Sequence, residues 1–150
     1  MEKWPKGDTR FLRKNGNVTP LFRSTLETVL DDLDETIRFW ADVRKKPPRD
    51  YAVRETYIVG SILEGNNYSD LDLLLVADKV DHEDFRFVKT VMATRFFVNR
   101  PKTEAIDVFF RPYDEFPDRG SYDVTGQVKN MVEQYNKKLR RLKANSRYSA

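Results

Sequence analysis

The chain contains no cysteine and only one histidine, His82. Without thiols it can form neither a disulfide nor a thiolate metal site. It also lacks any run of about 20 apolar residues, the length that a membrane-spanning helix needs. Residues 1–13 are polar and charged, so they do not resemble a secretory signal. These absences predict a cytoplasmic protein that makes no membrane contact.

Charge and aromatic side chains are plentiful. The 150 residues are 34% charged and 39% hydrophobic, which is typical of one globular domain. The net charge of +3 is spread unevenly, because residues 1–20 carry +3, residues 21–119 carry −5 and residues 120–150 carry +5. An acidic centre between basic ends suits a cation site beside surfaces that contact phosphate, but solvated helices and tails produce the same distribution.

The first regular element is predicted to be a long helix. Ser24 and Glu27 have the spacing of a capping box, and Pro47 with Pro48 should end the helix near Lys46. Apolar side chains then recur at spacings of three and four, at Leu26, Leu30, Leu33, Ile37 and Trp40. We interpret this stripe as core packing, and a homo-oligomer formed through it is the alternative.

The remaining pattern alternates strands and helices. Strands are predicted at 55–59, 71–76, 95–98 and 105–110, and helices at 81–94 and from about 124 to 144. The last helix has an apolar stripe at Val124, Val128, Met131 or Val132, Tyr135, Leu139 and Leu142. This order predicts an α/β or α+β two-layer fold, in which helices pack on a small mixed sheet.

The domain organisation follows from the same pattern. We expect an N-terminal arm at 1–20, a single domain at 21–144 and a flexible tail at 145–150. His82 lies in an acidic helix start and has no recognisable metal-binding partner, so we assign it no function.

Gly60 and Ser61 follow the first strand directly. Because glycine has no side chain, a ligand can approach the backbone closely at Gly60. Ser61 would open a short helix and offer a hydroxyl and free backbone N–H groups, which bind phosphate oxygens.

Asp70 and Asp72 lie two residues apart at the start of the second strand. The two-residue period of a strand puts both carboxylates on one face, where they repel each other beside apolar neighbours. A Mg²⁺ ion removes this repulsion. Alternatively, Ser69 and Asp70 form a turn that enters the strand.

Asp107 stands in the middle of another apolar run. An isolated carboxylate is costly in such a strand unless it is paired or binds a cation. Asp107 could therefore complete the carboxylate set, and its alternative is an ion pair with Arg95 or Arg111.

These motifs follow one another in a fixed order: Gly60-Ser61, then Asp70-Leu71-Asp72, and later Asp107 on a strand. The pattern resembles the DNA polymerase β-like nucleotidyltransferase superfamily, most of all its minimal single-domain members. The resemblance rests on residues 54–111. It implies the polymerase β-like palm fold, with Gly60 and Ser61 holding a nucleoside triphosphate such as ATP. It also implies that Asp70, Asp72 and Asp107 are catalytic and bind two Mg²⁺ ions.

The implied reaction transfers a nucleoside monophosphate to a hydroxyl of an RNA, a protein or a small molecule. Only eight residues separate Ser61 from Asp70, fewer than in many family members. This short spacer motivates an alternative, a catalytically weak or inactive regulatory or antitoxin-like module. The basic end of the last helix, Lys137 to Lys143, could also contact nucleic acid, although such runs are usually solvated faces.

Overall fold

The described part of the chain is a small mixed α/β fold, in which two helices pack on a four-stranded mixed sheet. The computed structural model describes residues 10–47, 52–60, 63, 71–77, 106–112 and 121–148. The predicted class of fold is confirmed at this level. The helix predicted at 81–94 and the strand predicted at 95–98 lie outside the described residues.

The first helix, α1, spans Pro20–Arg44. Its N-cap is Thr19, whose hydroxyl oxygen accepts a hydrogen bond from the backbone N–H of Phe22 at 3.2 Å. Pro20 suits the first helical position because its φ is already helical and that position needs no N–H donor. The predicted capping box at Ser24 is wrong: Ser24 lies inside the helix and donates its hydroxyl to the carbonyl of Leu21 at 3.1 Å.

The helix ends two residues before the predicted position. Lys45 adopts a left-handed conformation with φ 56°, and its backbone N–H donates to the carbonyl of Ala41. The apolar stripe of α1 packs inside the chain, as expected for core packing, and its buried members are Leu26, Leu30, Leu33 and Ile37.

Four strands form the sheet. They are β1 (Val53–Val59), β2 (Leu71–Ala77), β3 (Ile106–Pro112) and β4 (Ser121–Asp123). The first three match predicted strands to within two residues at each end. β4 was not predicted, because three residues are too few to show a strand period. The structure describes the side chains of Val108, Phe109 and Arg111 on β3.

The strand order is β3-β2-β1-β4. β1 pairs antiparallel with both β2 and β4, and β2 pairs parallel with β3. The central position of β2 explains its nearly continuous apolar sequence, since a strand with neighbours on both sides and cover on both faces buries almost every side chain.

The main core lies between the helices and one face of the sheet. Leu71, Leu73 and Leu75 of β2 belong to this core, together with Ile58 of β1. The intervening residues Leu74 and Val76 are also buried, but in a second cluster with Tyr57. The two clusters follow from the alternation of side chains along a strand.

Residues 10–19 precede α1 and are attached to the body of the fold. Leu12 and Val18 form an antiparallel bridge, which brings Phe11 and Leu12 into the main core. The side chain of Gln127 accepts from the N–H of Val18 and donates to the carbonyl of Gly16, both at 2.8 Å. The predicted N-terminal arm at 1–20 therefore contains core residues.

The second helix, α2, spans Lys129–Ala144 and follows a 3-10 helix at Thr125–Gln127. Its buried side chains are Val132, Tyr135 and Leu139. Asn136 joins α2 to the first strand, because its amide accepts from the N–H of Val53 at 2.9 Å and donates to the Val53 carbonyl at 3.0 Å.

Neither helix of the described residues has the length and apolar character that a membrane span requires.

We predict that Phe11→Ala lowers the free energy of unfolding by about 3–5 kcal/mol, because it removes a buried aromatic ring and leaves a cavity. Phe39→Ala is the matched control, since Phe39 is 58% exposed whereas Phe11 is 0% exposed. The control should change stability by no more than about 0.5 kcal/mol. Urea unfolding followed by tryptophan fluorescence measures both variants. Equal losses would contradict the inclusion of residues 10–19 in the core.

Candidate functional site

A row of four register partners crosses the sheet at the end where β1 stops. Ser121 of β4 pairs with Val59 of β1, Val59 pairs with Asp72 of β2, and Asp72 pairs with Asp107 of β3. Two of the sequence-predicted site residues are therefore neighbours on adjacent strands. Because adjacent strands lie about 4.8 Å apart, the two positions are close enough to serve one cation.

Asp72 is half-buried on the face of the sheet that points away from the main core. Its chain neighbours Leu71 and Leu73 are fully buried on the opposite face, as the two-residue period predicts. The carboxylate therefore shares a face with Leu74 and Val76, which are buried. A charged group at such a position needs polar or cationic partners.

Gly60 packs directly against this carboxylate. A Cβ atom added at Gly60 would collide with Oδ2 of Asp72 and would lie 3.1 Å from Cγ and 3.3 Å from Cβ of the same residue. Gly60 also has φ +85°, a conformation that glycine adopts most readily. Two independent constraints therefore require glycine at the end of β1.

The chain turns immediately after Gly60. The backbone N–H of Leu63 donates to the carbonyl of Gly60 at 3.3 Å, and the side chain of Leu63 is fully buried in the main core. This turn directs the chain away from β1 just where the Asp72 carboxylate lies. Ser61, the predicted phosphate-binding partner of Gly60, lies outside the described residues.

The predicted metal site is only partly described. The structure brings together Gly60, Asp72 and the backbone position of Asp107. Asp70 and the side chain of Asp107 lie outside the described part of the chain. Among the side chains that are described, no three histidine, aspartate or glutamate residues form a group that could hold a metal ion. The assignment of Asp70, Asp72 and Asp107 as Mg²⁺ ligands stays a prediction.

Arg111 makes a cation–π contact on its own strand, and the ion pair with Asp107 stays untested because that side chain lies outside the described part of the chain. Its guanidinium carbon lies 5.7 Å from the centre of the Phe109 ring, two residues earlier on β3. This cation–π contact places the charge beside an aromatic ring that is 36% exposed. Arg95, the other arginine considered as a partner of Asp107, and His82 lie outside the described residues.

A second polar group, absent from the sequence prediction, lies on the same face two rows from the Asp72 row. Tyr57 of β1 pairs there with Asp123 of β4. Burial raises the pKa of the Tyr57 phenol to about 12, and the nearby carboxylates of Asp123 and Glu55 add to the rise. No sequence signal reveals this group, because β4 is too short for its register to be predicted.

The basic end of α2 is exposed. Lys137, Arg140, Arg141 and Lys143 all point to solvent. Exposure is compatible both with a solvated helix face and with phosphate contact, so the expected nucleic-acid contact stays a prediction.

No protein family, curated protein or solved structure was found to match the chain. The candidate site therefore rests on its own residues and geometry.

We predict that Gly60→Ala lowers the free energy of unfolding by about 1–3 kcal/mol, because alanine is strained at φ +85° and its methyl group collides with the Asp72 carboxylate. Gly126→Ala is the control, since a Cβ there meets no described atom within 4 Å. Thermal and urea unfolding measure both variants. A Gly60→Ala protein as stable as Gly126→Ala would contradict the close packing of Gly60 on Asp72.

We also predict that stability falls as the pH rises from about 10 to about 12. In this range the unfolded chain has released the Tyr57 proton while the folded chain retains it, so the contribution of the neutral phenol, complete below pH 10, is lost. Tyr57→Phe should show a shallower decline. Unfolding free energies measured between pH 9 and pH 12 test this, and equal slopes for the two proteins would count against the raised pKa.

Proposed function

We propose that the protein is a Mg²⁺-dependent nucleotidyltransferase with a polymerase β-like fold, which transfers a nucleoside monophosphate from a triphosphate to a hydroxyl acceptor. The observation that carries this proposal is the register pairing of Asp72 with Asp107 beside Gly60. The resemblance of the sequence motifs supports the proposal. That resemblance implies carboxylates on two strands, next to a glycine that follows a third strand.

The donor set suits magnesium. Carboxylate oxygens are hard ligands, and Mg²⁺ typically binds one or two carboxylates together with substrate phosphate oxygens. Asp70, Asp72 and Asp107 would hold the two ions. Adjacent carboxylates without a cation repel each other, so their pairing in one row of a largely apolar sheet favours a cation-binding role. Bound Mg²⁺ would lower the pKa of the acceptor hydroxyl and neutralise the leaving pyrophosphate.

Gly60 and Ser61 would bind the triphosphate. Gly60 is exposed and has no side chain, so a phosphate group could approach its backbone closely. Asp107 lies on the far side of Asp72 from Gly60, where it would face the acceptor hydroxyl. Positioning and electrostatic stabilisation would then supply most of the catalysis.

The mixed strand order is consistent with this assignment. β2 and β3 are parallel neighbours, so Asp72 and Asp107 both lie near the start of their strands and at the same end of the sheet. β1 runs antiparallel to β2, so its last residue and Gly60 reach this same end. Three segments that are distant in sequence thereby converge on one small region.

The alternative function is a regulatory or antitoxin-like module that keeps the fold without the catalysis. The short spacer between Ser61 and Asp70 motivates it. The two functions differ in one measurable property, because only the enzyme transfers label from a nucleoside triphosphate.

We predict that Asp72→Asn and Asp107→Asn each lower nucleotide transfer by at least about 100-fold, since each removes a charge that stabilises the transition state. Asp123→Asn is the matched control: it neutralises a carboxylate of β4 that lies two rows from the Asp72 row, and it should retain activity within about threefold of the unmodified protein. The assay incubates each α-labelled nucleoside triphosphate with Mg²⁺ and RNA, protein or small hydroxyl acceptors.

Three outcomes are informative. Transfer that depends on Asp72 and Asp107 but not on Asp123 supports the enzyme. Calorimetric binding of ATP with Mg²⁺ but no transfer to any acceptor favours the non-catalytic module. Transfer that is equal in all four proteins would show that the activity comes from a contaminant and would overturn the assignment.

A further inference from the structure

The outer face of α1 carries two large apolar side chains near the C-terminal end of the helix. Phe39 is 58% exposed and Val43 is 54% exposed. Residues four apart in a helix are neighbours on one face, so these two side chains form a single apolar patch. Single exposed apolar residues are ordinary, whereas neighbouring ones offer the contiguous apolar surface by which protein partners dock.

Within the described part of the chain, other elements contact α1 along different faces. The apolar stripe that the sequence suggested as an alternative oligomer contact is largely buried in the main core. On a second side, Nζ of Lys138 in α2 lies 3.9 Å from Oδ1 of Asp31. Arg147, which follows α2, lies 3.2 Å from Oδ1 of Asp42 on that side. The patch is therefore a third face of α1, distinct from the stripe.

Charged side chains of opposite sign flank the patch along the helix. Asp32 and Glu35 precede Phe39, and residues 45–46, two exposed lysines, follow Val43. Since successive residues of an α-helix turn by about 100°, the two acidic residues and the patch lie within an arc of about 80°. The face is thus acidic on one side of the patch and basic on the other.

This distribution of charge selects the orientation in which a second copy of the chain fits. Asp32 and Lys46 each lie seven residues from Phe39, which is about 10 Å along the helix axis. An antiparallel pair of helices with a two-fold axis at Phe39 therefore places Asp32 of each copy beside Lys46 of the other. A parallel pair would bring like charges together, which is destabilising.

We propose that the outer face of α1 is the contact surface of an antiparallel homodimer. Phe39 and Val43 pack against the same two residues of a second copy, and this burial removes their apolar surface from water. The acidic and basic flanks fix the orientation and the register of the two helices. The dimer is independent of the proposed nucleotidyl transfer, because its contacts include no residue of the Asp72 row.

Sedimentation equilibrium of the full chain over a range of concentrations measures the association. A contact made by one pair of helices lies at the small end of protein interfaces, so we expect a monomer–dimer equilibrium with a Kd on the order of 10–100 µM. Phe39→Glu should weaken association at least about tenfold, because two carboxylates then meet at the two-fold axis. Thermal unfolding at about 5 µM, below this Kd, checks that the monomer remains folded.

A charge exchange tests the antiparallel orientation. Asp32→Lys and Lys46→Glu should each weaken association about fivefold, since each brings like charges together across the interface. The double variant should associate within about twofold of the unmodified protein, because opposite charges meet again, and damage to the fold cannot produce this recovery. Glu133→Lys is the matched control: it makes the same change of charge as Asp32→Lys at an exposed position of α2 and should leave the Kd within about twofold.

A chain that stays monomeric at about 1 mM overturns the proposal. So does a Phe39→Glu protein that associates as tightly as the unmodified one, because the contact would then lie on another face. A double variant no tighter than the single ones overturns the antiparallel pairing. If Glu133→Lys weakens association as much as Asp32→Lys does, net charge rather than the outer face of α1 controls association, and the proposal fails.

Discussion

The carboxylate of Asp72 lies on the central strand of the sheet, among side chains that are otherwise apolar and buried. Placing a charge there costs free energy unless polar or cationic groups surround it, and the local structure is arranged around this requirement. Asp107 is its register partner on one side, and the end of β1 lies on the other. The geometry of the candidate site follows from the position of this one residue.

Gly60 leaves room for the Asp72 carboxylate because it has no side chain. Any larger residue would push the Asp72 carboxylate aside, and the positive φ of Gly60 turns the chain away from the sheet at the same point. The buried side chain of Leu63 then anchors the turn in the main core. The packing of the core and the position of the Asp72 carboxylate are thus coupled through this turn, so a change in one would disturb the other.

The two faces of the sheet divide the molecule into separate chemical environments. One face carries the main core and the two helices. The other face carries Asp72, Tyr57 and the Arg111–Phe109 pair. Alternation along the strands separates these sets, because neighbouring residues of one strand must point to opposite sides. The side chains that serve a function on one face of the sheet are therefore different residues from those on the other face.

Local patterns in the sequence determined much of this protein. Periodicity located α1, α2 and three strands, and the presence of Asp72 and Asp107 in apolar runs identified them as residues that need a partner. Only the tertiary structure decided that these two residues are register partners, that Thr19 rather than Ser24 caps α1, and that Phe11 belongs to the core. β4 also emerged only there. The physical reason is that these features depend on contacts between residues that are distant in sequence. Such contacts set the strand register and the burial of a non-periodic segment, and they leave no periodic signal in the chain.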